Sequence, residues 1–347
     1  MRRIVILPPH NLWEEWTDPP NPDVPDREEP FRILASAGYR HRRIDPFRLP
    51  WNPLARAHPI LRAIDPLRAL RVMLFHRRTD IVIACFESSA LAILLLRRLL
   101  FFRGKVVIHD VGIGGTSRLR DTILRLALPR ADMTIPSGRA QTSGLYAMGA
   151  RPGTVRPARL GTFPALFQPG EDRPDGYILA VGDDISRDYP TFLAAVADLP
   201  RPVRIRSRVL SEDRAKYPTV AAIAHSLTAK DYKDLIAGAV LVVLPLHPST
   251  HAGGVSTLME TMASGKPLIV STTEGLADYV EDGLNCLTVP PGDPARLRAA
   301  IDGLLASPEE RARLGANARQ YILDHCSAKA DAAHLATIMD ELLGQRP

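Results

Sequence analysis

The chain has 347 residues, of which 46% are hydrophobic and 24% charged, and a formal net charge of +6. Those proportions exclude a disordered or fibrous polypeptide, and the length predicts two domains with ample core. The three cysteines, Cys85, Cys286 and Cys326, are widely separated, which excludes a disulfide framework and a zinc-ligand pattern and points to a reducing compartment.

In chain order, Arg3–Leu7 reads as a first strand. Its apolar run is too short for a secretory signal, and no cleavage pattern follows. The polar, proline-rich stretch from Pro8 to Pro30 is long for a compact domain. It is either a plain loop or an acceptor-recognition loop, for which His10 and Trp13 are the candidate residues. Phe31–Gly38 reads as a helix closed by glycine. Asp80–Cys85, Lys105–His109 and Ala131–Ile135 are short apolar runs fit for buried parallel strands. His109 is expected at the end of its strand, where an α/β sheet presents catalytic groups.

Charge is unevenly spread. Residues 1–168 hold 26 Lys+Arg against 14 Asp+Glu, and 18 of those basic residues lie between Arg40 and Arg130 against 6 acidic ones. Two segments, HPILRAIDPLRALRVMLFHRR and ALAILLLRRLLFFRGK, mix arginines with apolar residues. They read either as basic amphipathic helices for an anionic membrane surface or as core-facing helices with solvated arginines. Neither reaches the length of a spanning helix. No aromatic-interleaved basic motif points to nucleic acid.

The second half opens with the strand YILAVG and a loop, DDISRDY, that leads into a helix. Arg187 in that loop is a candidate cation for a phosphorylated ligand. The adjacent acids Asp183 and Asp184 lack the partner cluster that a metal site needs. Further on, Gly253-Gly254 allows close backbone approach at the start of a helix that carries Glu260. Unpaired N–H groups and the helix dipole attract anions there, so Gly253, Gly254, Val255, Ser256 and Thr257 form a candidate phosphate turn. Gly265-Lys266-Pro267 stops the helix. PLIVS is a buried strand, and Ser307-Pro308-Glu309-Glu310 is a capping box with proline at the first helical position.

The run METMASGKPLIVSTTEGLADYVEDGLNCLTVPPGD resembles the C-terminal domain of GT-B glycosyltransferases of the family 4 group. The resemblance is strong from Val240 to Ala312 and weaker in the N-terminal half. It implies an α/β GT-B fold, with two Rossmann-like domains facing each other across a cleft. The expected boundaries are 1–165 on the acceptor side and 166–330 on the nucleotide-sugar side. The segment 331–347 is expected to be a helix that packs back on the N-terminal domain. RLGTFPALFQPGE resembles the family's crossing segment.

The resemblance implies a hexosyltransferase that moves a sugar from a nucleotide-diphosphate donor to a hydroxyl of a glycan or lipid-linked acceptor. Retention of configuration and independence of metal and cofactor come with it. Glu260 matches the acid that holds the ribose, and Arg187 matches a basic residue that clamps the diphosphate. His109 matches, by position, a histidine that faces the donor sugar. A second acid is expected eight residues before Glu260, where this chain has Ala252; His251 is the candidate substitute for the sugar contact. The alternative reading is a catalytically weakened subunit that binds nucleotide sugar or a partner enzyme. The protein is expected in the cytoplasm, peripheral at the inner face of the membrane.

Overall fold

The computed structural model describes residues 1–8, 29–46, 64–111, 113, 118–170, 173, 175–208, 220–224 and 227–344. Two compact units divide the chain. The first comprises residues 1–21, 26–160 and 331–347, and the second residues 22–25 and 161–330.

Unit 1 runs β1 (Arg2–Leu7), α1 (Glu29–Ser36), β2 (Tyr39–Arg43), α2 (Pro66–Phe75), β3 (Ile81–Cys85), α3 (Glu87–Leu96), β4 (Lys105–Val111), α4 (Arg118–Ala127), β5 (Met133–Pro136) and α5 (Thr142–Ala147). Its five strands lie in the order β2-β1-β3-β4-β5, all parallel. Parallel strands need helical crossovers, which cover both faces of the sheet and account for the unbroken apolar runs of β3 and β4. One core joins Val5, Leu7 and Val82 to Val72 and Met73 of α2 and Ile93 and Leu94 of α3. On the other face Ile4, Ile81, Ile83 and Val107 pack with Leu34 of α1.

Unit 2 runs β6 (Tyr177–Val181), α6 (Tyr189–Val196), β7 (Val203–Arg206), β8 (Val220–Ile223), α7 (Ala229–Ala237), β9 (Ala239–Leu244), α8 (Val255–Ala263), β10 (Leu268–Ser271), β11 (Leu287–Val289), α9 (Pro294–Ala306) and α10 (Pro308–His325). The six strands lie in the order β11-β10-β9-β6-β7-β8, again all parallel. The order reverses between β6 and β9, so the loops after these two strands open at a topological switch point, where open α/β sheets bind ligands. Caps fix the helix starts: Asp188 accepts from Thr191 N–H at α6, and Ser307 accepts from Glu310 N–H at α10.

The last helix, α11 (Ala328–Leu342), begins in unit 2, and its residues from Asp331 belong to unit 1. There Ala332, Ala336, Ile338 and Met339 join the core beside Ile4 and Tyr39. Asp340 accepts from Arg2 Nη1 at 2.9 Å and from the Tyr39 hydroxyl, tying the helix to β1 and β2. Burial and the neighbouring carboxylate push the Tyr39 phenol up to about 12.

Three sequence expectations change. β4 continues to Val111, so His109 lies within the strand, paired with Cys85 and Ile135. The break comes one residue later, at Asp110, whose φ is +56° and where the register shifts. Arg68 is not solvated: it is 1% exposed and donates to Pro8 O at 2.5 Å. The first part of the ALAILLL run is core, since Glu87 to Leu94 of α3 are all buried, whereas Leu95 is exposed. His10, Trp13 and Trp16, the glycines 112, 114 and 115, and His225 lie outside the described residues.

Candidate functional site

Unit 2 concentrates the candidate residues at its switch point. The loops after β6 and β9 are joined by an antiparallel bridge between Arg187 and Leu246. Asp188 N–H donates to Pro245 O at 3.0 Å, and His247 N–H donates to Ser186 O at 2.8 Å. Leu246 N–H also donates to Ser271 Oγ at 2.9 Å, which ties the pair to the end of β10. The loop carrying Arg187 is therefore held against the start of α8.

Two glycines make a slot for the Arg187 guanidinium. A Cβ on Gly182 would collide with it, and a Cβ on Gly254 would lie 2.6 Å from its Nη1. Gly254 also has φ +82°, a left-handed conformation that only glycine adopts without strain, and it caps α8. In this slot Arg187 is 7% exposed. Its Nε donates to Val181 O at 3.0 Å, and its Nη2 reaches Thr257 Oγ1 at 3.4 Å. Nη1 is buried with no acceptor among the described residues. Burial lowers the pKa of this guanidinium, and Tyr189 and Asp184 oppose the shift, so it stays charged at neutral pH. A buried cation with an unused donor, beside helix N–H groups that lack intrahelical acceptors, fits an anion.

Glu260 lies on α8, one and a half turns in from Gly254. Its Oε2 accepts from the Tyr232 hydroxyl of α7 at 2.7 Å. Burial raises the Glu260 carboxyl to about 7, with the Tyr232 hydrogen bond opposing the shift. Burial and the same carboxylate push the Tyr232 phenol well above its ordinary value. The sequence alone does not give this pairing: the helix Ala229–Ala237 is what brings Tyr232 to Glu260.

Ala252, in the place of the expected second acid, is 3% exposed. A carboxylate nevertheless stands beside this turn. Asp184 Oδ1 would lie 3.5 Å from a Cβ on Gly253, and it accepts from Ser186 N–H at 2.7 Å. Burial would raise the Asp184 pKa, but the Ser186 hydrogen bonds and the charges of Arg187 and His251 bring it below the ordinary value. His251 is partly buried, and its N–H donates to Ser249 Oγ at 3.0 Å. Asp183 turns the other way and pairs with Arg206 and Arg208, each at 2.8 Å. Among the described residues no group of three or more His, Cys, Asp or Glu could hold a metal ion.

In unit 1, His109 sits near the C-terminal ends of β3 and β4, and its carbonyl accepts from Phe86 N–H at 2.9 Å. Burial lowers its imidazole to about 4, so it is neutral at pH 7. Burial raises the neighbouring Asp110 carboxyl to about 6, partly offset by Arg120, which pairs with Glu87 at 2.7 Å.

Residues 221–321, which include α7, α8 and Glu260, match the family "Glycosyl transferases group 1". The whole chain superposes on sucrose-phosphate synthase of Thermosynechococcus elongatus, with a TM-score of 0.76, 19% identity, and 99% and 100% of the two chains covered. The chain has the GT-B fold, and its segment 221–321 is similar to the group 1 glycosyltransferases. A second GT-B structure, Anabaena HepE in complex with UDP, has a TM-score of 0.69 and 15% identity over 98% of this chain and all of that one.

Among characterised relatives, an MMP alpha-(1->4)-mannosyltransferase of Mycolicibacterium hassiacum is 26% identical over 235 residues, 64% of this chain and 56% of that protein. A D-inositol 3-phosphate glycosyltransferase of Frankia alni is 40% identical over 80 residues, 23% of this chain and 19% of that protein. The chain thus spans about half the length of the first of these group 1 relatives and less of the second. No described helix is long and apolar enough to cross a membrane.

Proposed function

We propose that this chain is a hexosyltransferase that moves a sugar from a nucleotide-diphosphate donor to a hydroxyl of a glycan or lipid-linked acceptor, in the synthesis of cell-surface glycans or glycolipids. The observation that carries the reading is Arg187 Nη1, buried without an acceptor beside the Gly254 cap of α8. The donor diphosphate would accept from Arg187 and from the first N–H groups of α8, and Glu260 would accept from the ribose hydroxyls. The UDP in the complex of the structurally similar HepE supports a nucleotide-linked donor.

In the transfer step the bond from the anomeric carbon to the phosphate oxygen breaks, and a bond to the acceptor oxygen forms. Negative charge develops on the departing phosphate oxygen. Arg187 and the helix N–H groups would stabilise that charge, usually the largest electrostatic gain in such sites. The acceptor proton passes to the leaving phosphate, so no separate protein base is needed, and attack on the same face retains configuration. The positive charge for this chemistry comes from protein groups, which supports a reaction independent of metal. His109, neutral at pH 7, is proposed to face the donor sugar, with His251 as a second contact. The proposed location is the cytoplasm, with unit 1 touching the inner face of an anionic membrane.

Ala252 favours one other reading, a subunit that binds nucleotide sugar without turning it over. One experiment decides between the two. The protein is incubated with a panel of UDP- and GDP-sugars, with and without acceptor hydroxyls, and free nucleotide and sugar products are followed by mass spectrometry. Release of nucleotide that Glu260→Ala abolishes supports the transferase. Saturable nucleotide binding with no release to any acceptor or water supports the binding subunit, and no binding at all refutes both.

A further inference from the structure

A cavity of about 670 Å³ opens in unit 1, lined by residues from β1, β2 and the loop after α2. Its size is that of an ordinary small-molecule site. Arg3, Arg40, Arg42, Arg77 and Arg78 line it, and among the described residues no aspartate or glutamate does. The register explains the crowding: Arg3 pairs with Arg40 and Val5 with Arg42, so alternate arginines of the edge strand share the face that α2 covers. His41 and His76 complete the basic lining. The His76 pKa is lowered by burial first and then by the charges of Arg42 and Arg71, the mark of a positive local field. Asp80, which accepts from the Arg3 backbone N–H at 2.7 Å, lies outside the lining.

The rim is apolar. Leu74 and Phe75, at the end of α2, line the cavity and are 52% and 79% exposed. The next helix ends in the same way: Leu99 is 72% and Phe101 83% exposed, between Arg98 and Arg103. The two helix ends are neighbours. Their helices pack together, Lys105 N–H donates to Asp80 O at 2.8 Å, and a Cβ on Gly104 would lie 2.7 Å from Thr79 O. Both loops precede their strands, so this is the end of the sheet opposite the one that carries His109.

We propose that this end of unit 1 is a docking surface for an anionic membrane, in which the arginine cavity receives a phospholipid headgroup phosphate and Phe75 and Phe101, with Leu74 and Leu99, enter the acyl boundary. It names the surface behind the peripheral-membrane reading and does not depend on the transfer reaction. Cation and aromatic side chains have separate tasks here. Arginine forks take phosphate oxygens, and exposed rings gain by leaving water. A nucleic-acid partner would use the same charges but leave the apolar rim in water.

The test is co-sedimentation of the full chain with phosphatidylcholine vesicles, with or without phosphatidylglycerol, at low and high salt. Recovery should require the anionic lipid and fall at about 0.5 M salt, where the screening length is only a few ångströms. Arg77→Gln with Arg78→Gln should weaken the partition about thirtyfold, since each basic group near such a surface contributes roughly fivefold. Phe75→Ser with Phe101→Ser should weaken it on the order of tenfold or more. UDP binding by unit 2 and the melting temperature serve as controls and should not change in these surface variants. Equal recovery on neutral and anionic vesicles overturns the proposal. So does vesicle binding that both double variants retain. Binding of inorganic phosphate or heparin lost in the arginine variant, without any recovery on vesicles, overturns it in favour of a soluble anion or a nucleic acid.

Discussion

Replacing Arg187 with methionine separates a ligand-binding cation from a structural one. In the ligand-free protein the guanidinium donates to Val181 O and approaches Thr257 Oγ1, while Nη1 has no acceptor and burial lowers its pKa. Methionine keeps much of the volume, loses the bond to Val181 O, and removes the cost of a desolvated charge. Those terms oppose each other, so the ligand-free stability should change by no more than about 1 kcal/mol. The diphosphate complex loses a charge-assisted hydrogen bond worth roughly 2 kcal/mol, which corresponds to about thirtyfold in Kd. Titration calorimetry with UDP and GDP at pH 8, paired with thermal unfolding with and without nucleotide, reads both quantities. A methionine variant that binds nucleotide within about threefold of the parent would refute the assignment. So would one that melts far lower yet keeps its nucleotide-induced stabilisation, since Arg187 would then be a brace for the loop.

Glu260 predicts a pH dependence. With its carboxyl at about 7, nucleotide affinity should fall between pH 8 and pH 6 as protonation removes an acceptor, and Glu260→Gln should bind more weakly with a flat profile by calorimetry. The stability sign is opposite to that of a usual surface acid. Between 4.5 and about 7 the folded state holds the proton and the unfolded state does not, so this residue's contribution declines as pH rises through that window. Denaturant titration at pH 8 should therefore find Glu260→Gln more stable by up to about 3 kcal/mol. Gly254→Ala puts a Cβ against Arg187 at a φ of +82°, and should cost about 1–3 kcal/mol of stability and weaken nucleotide binding in the same calorimetry. Asp340→Ala leaves the Tyr39 hydroxyl with only Arg2 at 3.4 Å, and should cost about 1–3 kcal/mol in thermal unfolding while nucleotide affinity is unchanged.

The parallel strands were legible where burial is two-sided. IVIAC and AVLVVL are continuous apolar runs, and β3 and β9 follow them closely. The cap at Ser307 and the turn at Gly254 were legible too, because each depends on a few adjacent residues. β2 was not, since YRHRR is an edge strand that buries only Tyr39. The interior place of His109 depends on the left-handed turn at Asp110, a residue type that signals no break by itself. Pairings across the fold stayed hidden for the same reason. Nothing local in α7 announces that Tyr232 donates to Glu260, or in the β6 loop that Asp183 belongs to Arg206 and Arg208 while Asp184 faces Gly253.

The last helix sets an order of folding. Among the described residues unit 2 is built from one continuous stretch within 161–330, whereas unit 1 needs Ala332, Ala336, Ile338 and Met339 of α11 to complete the core around Ile4 and Tyr39. During synthesis the first strand emerges some 330 residues before the helix that covers it, so Arg2 and Tyr39 wait for Asp340 until that residue has been made. Such long-range closure is slow, and an incomplete unit 1 exposes apolar surface meanwhile. The half of the protein translated first is thus the half that finishes last, and losing a few turns near residue 340 would damage the sheet that begins at residue 2.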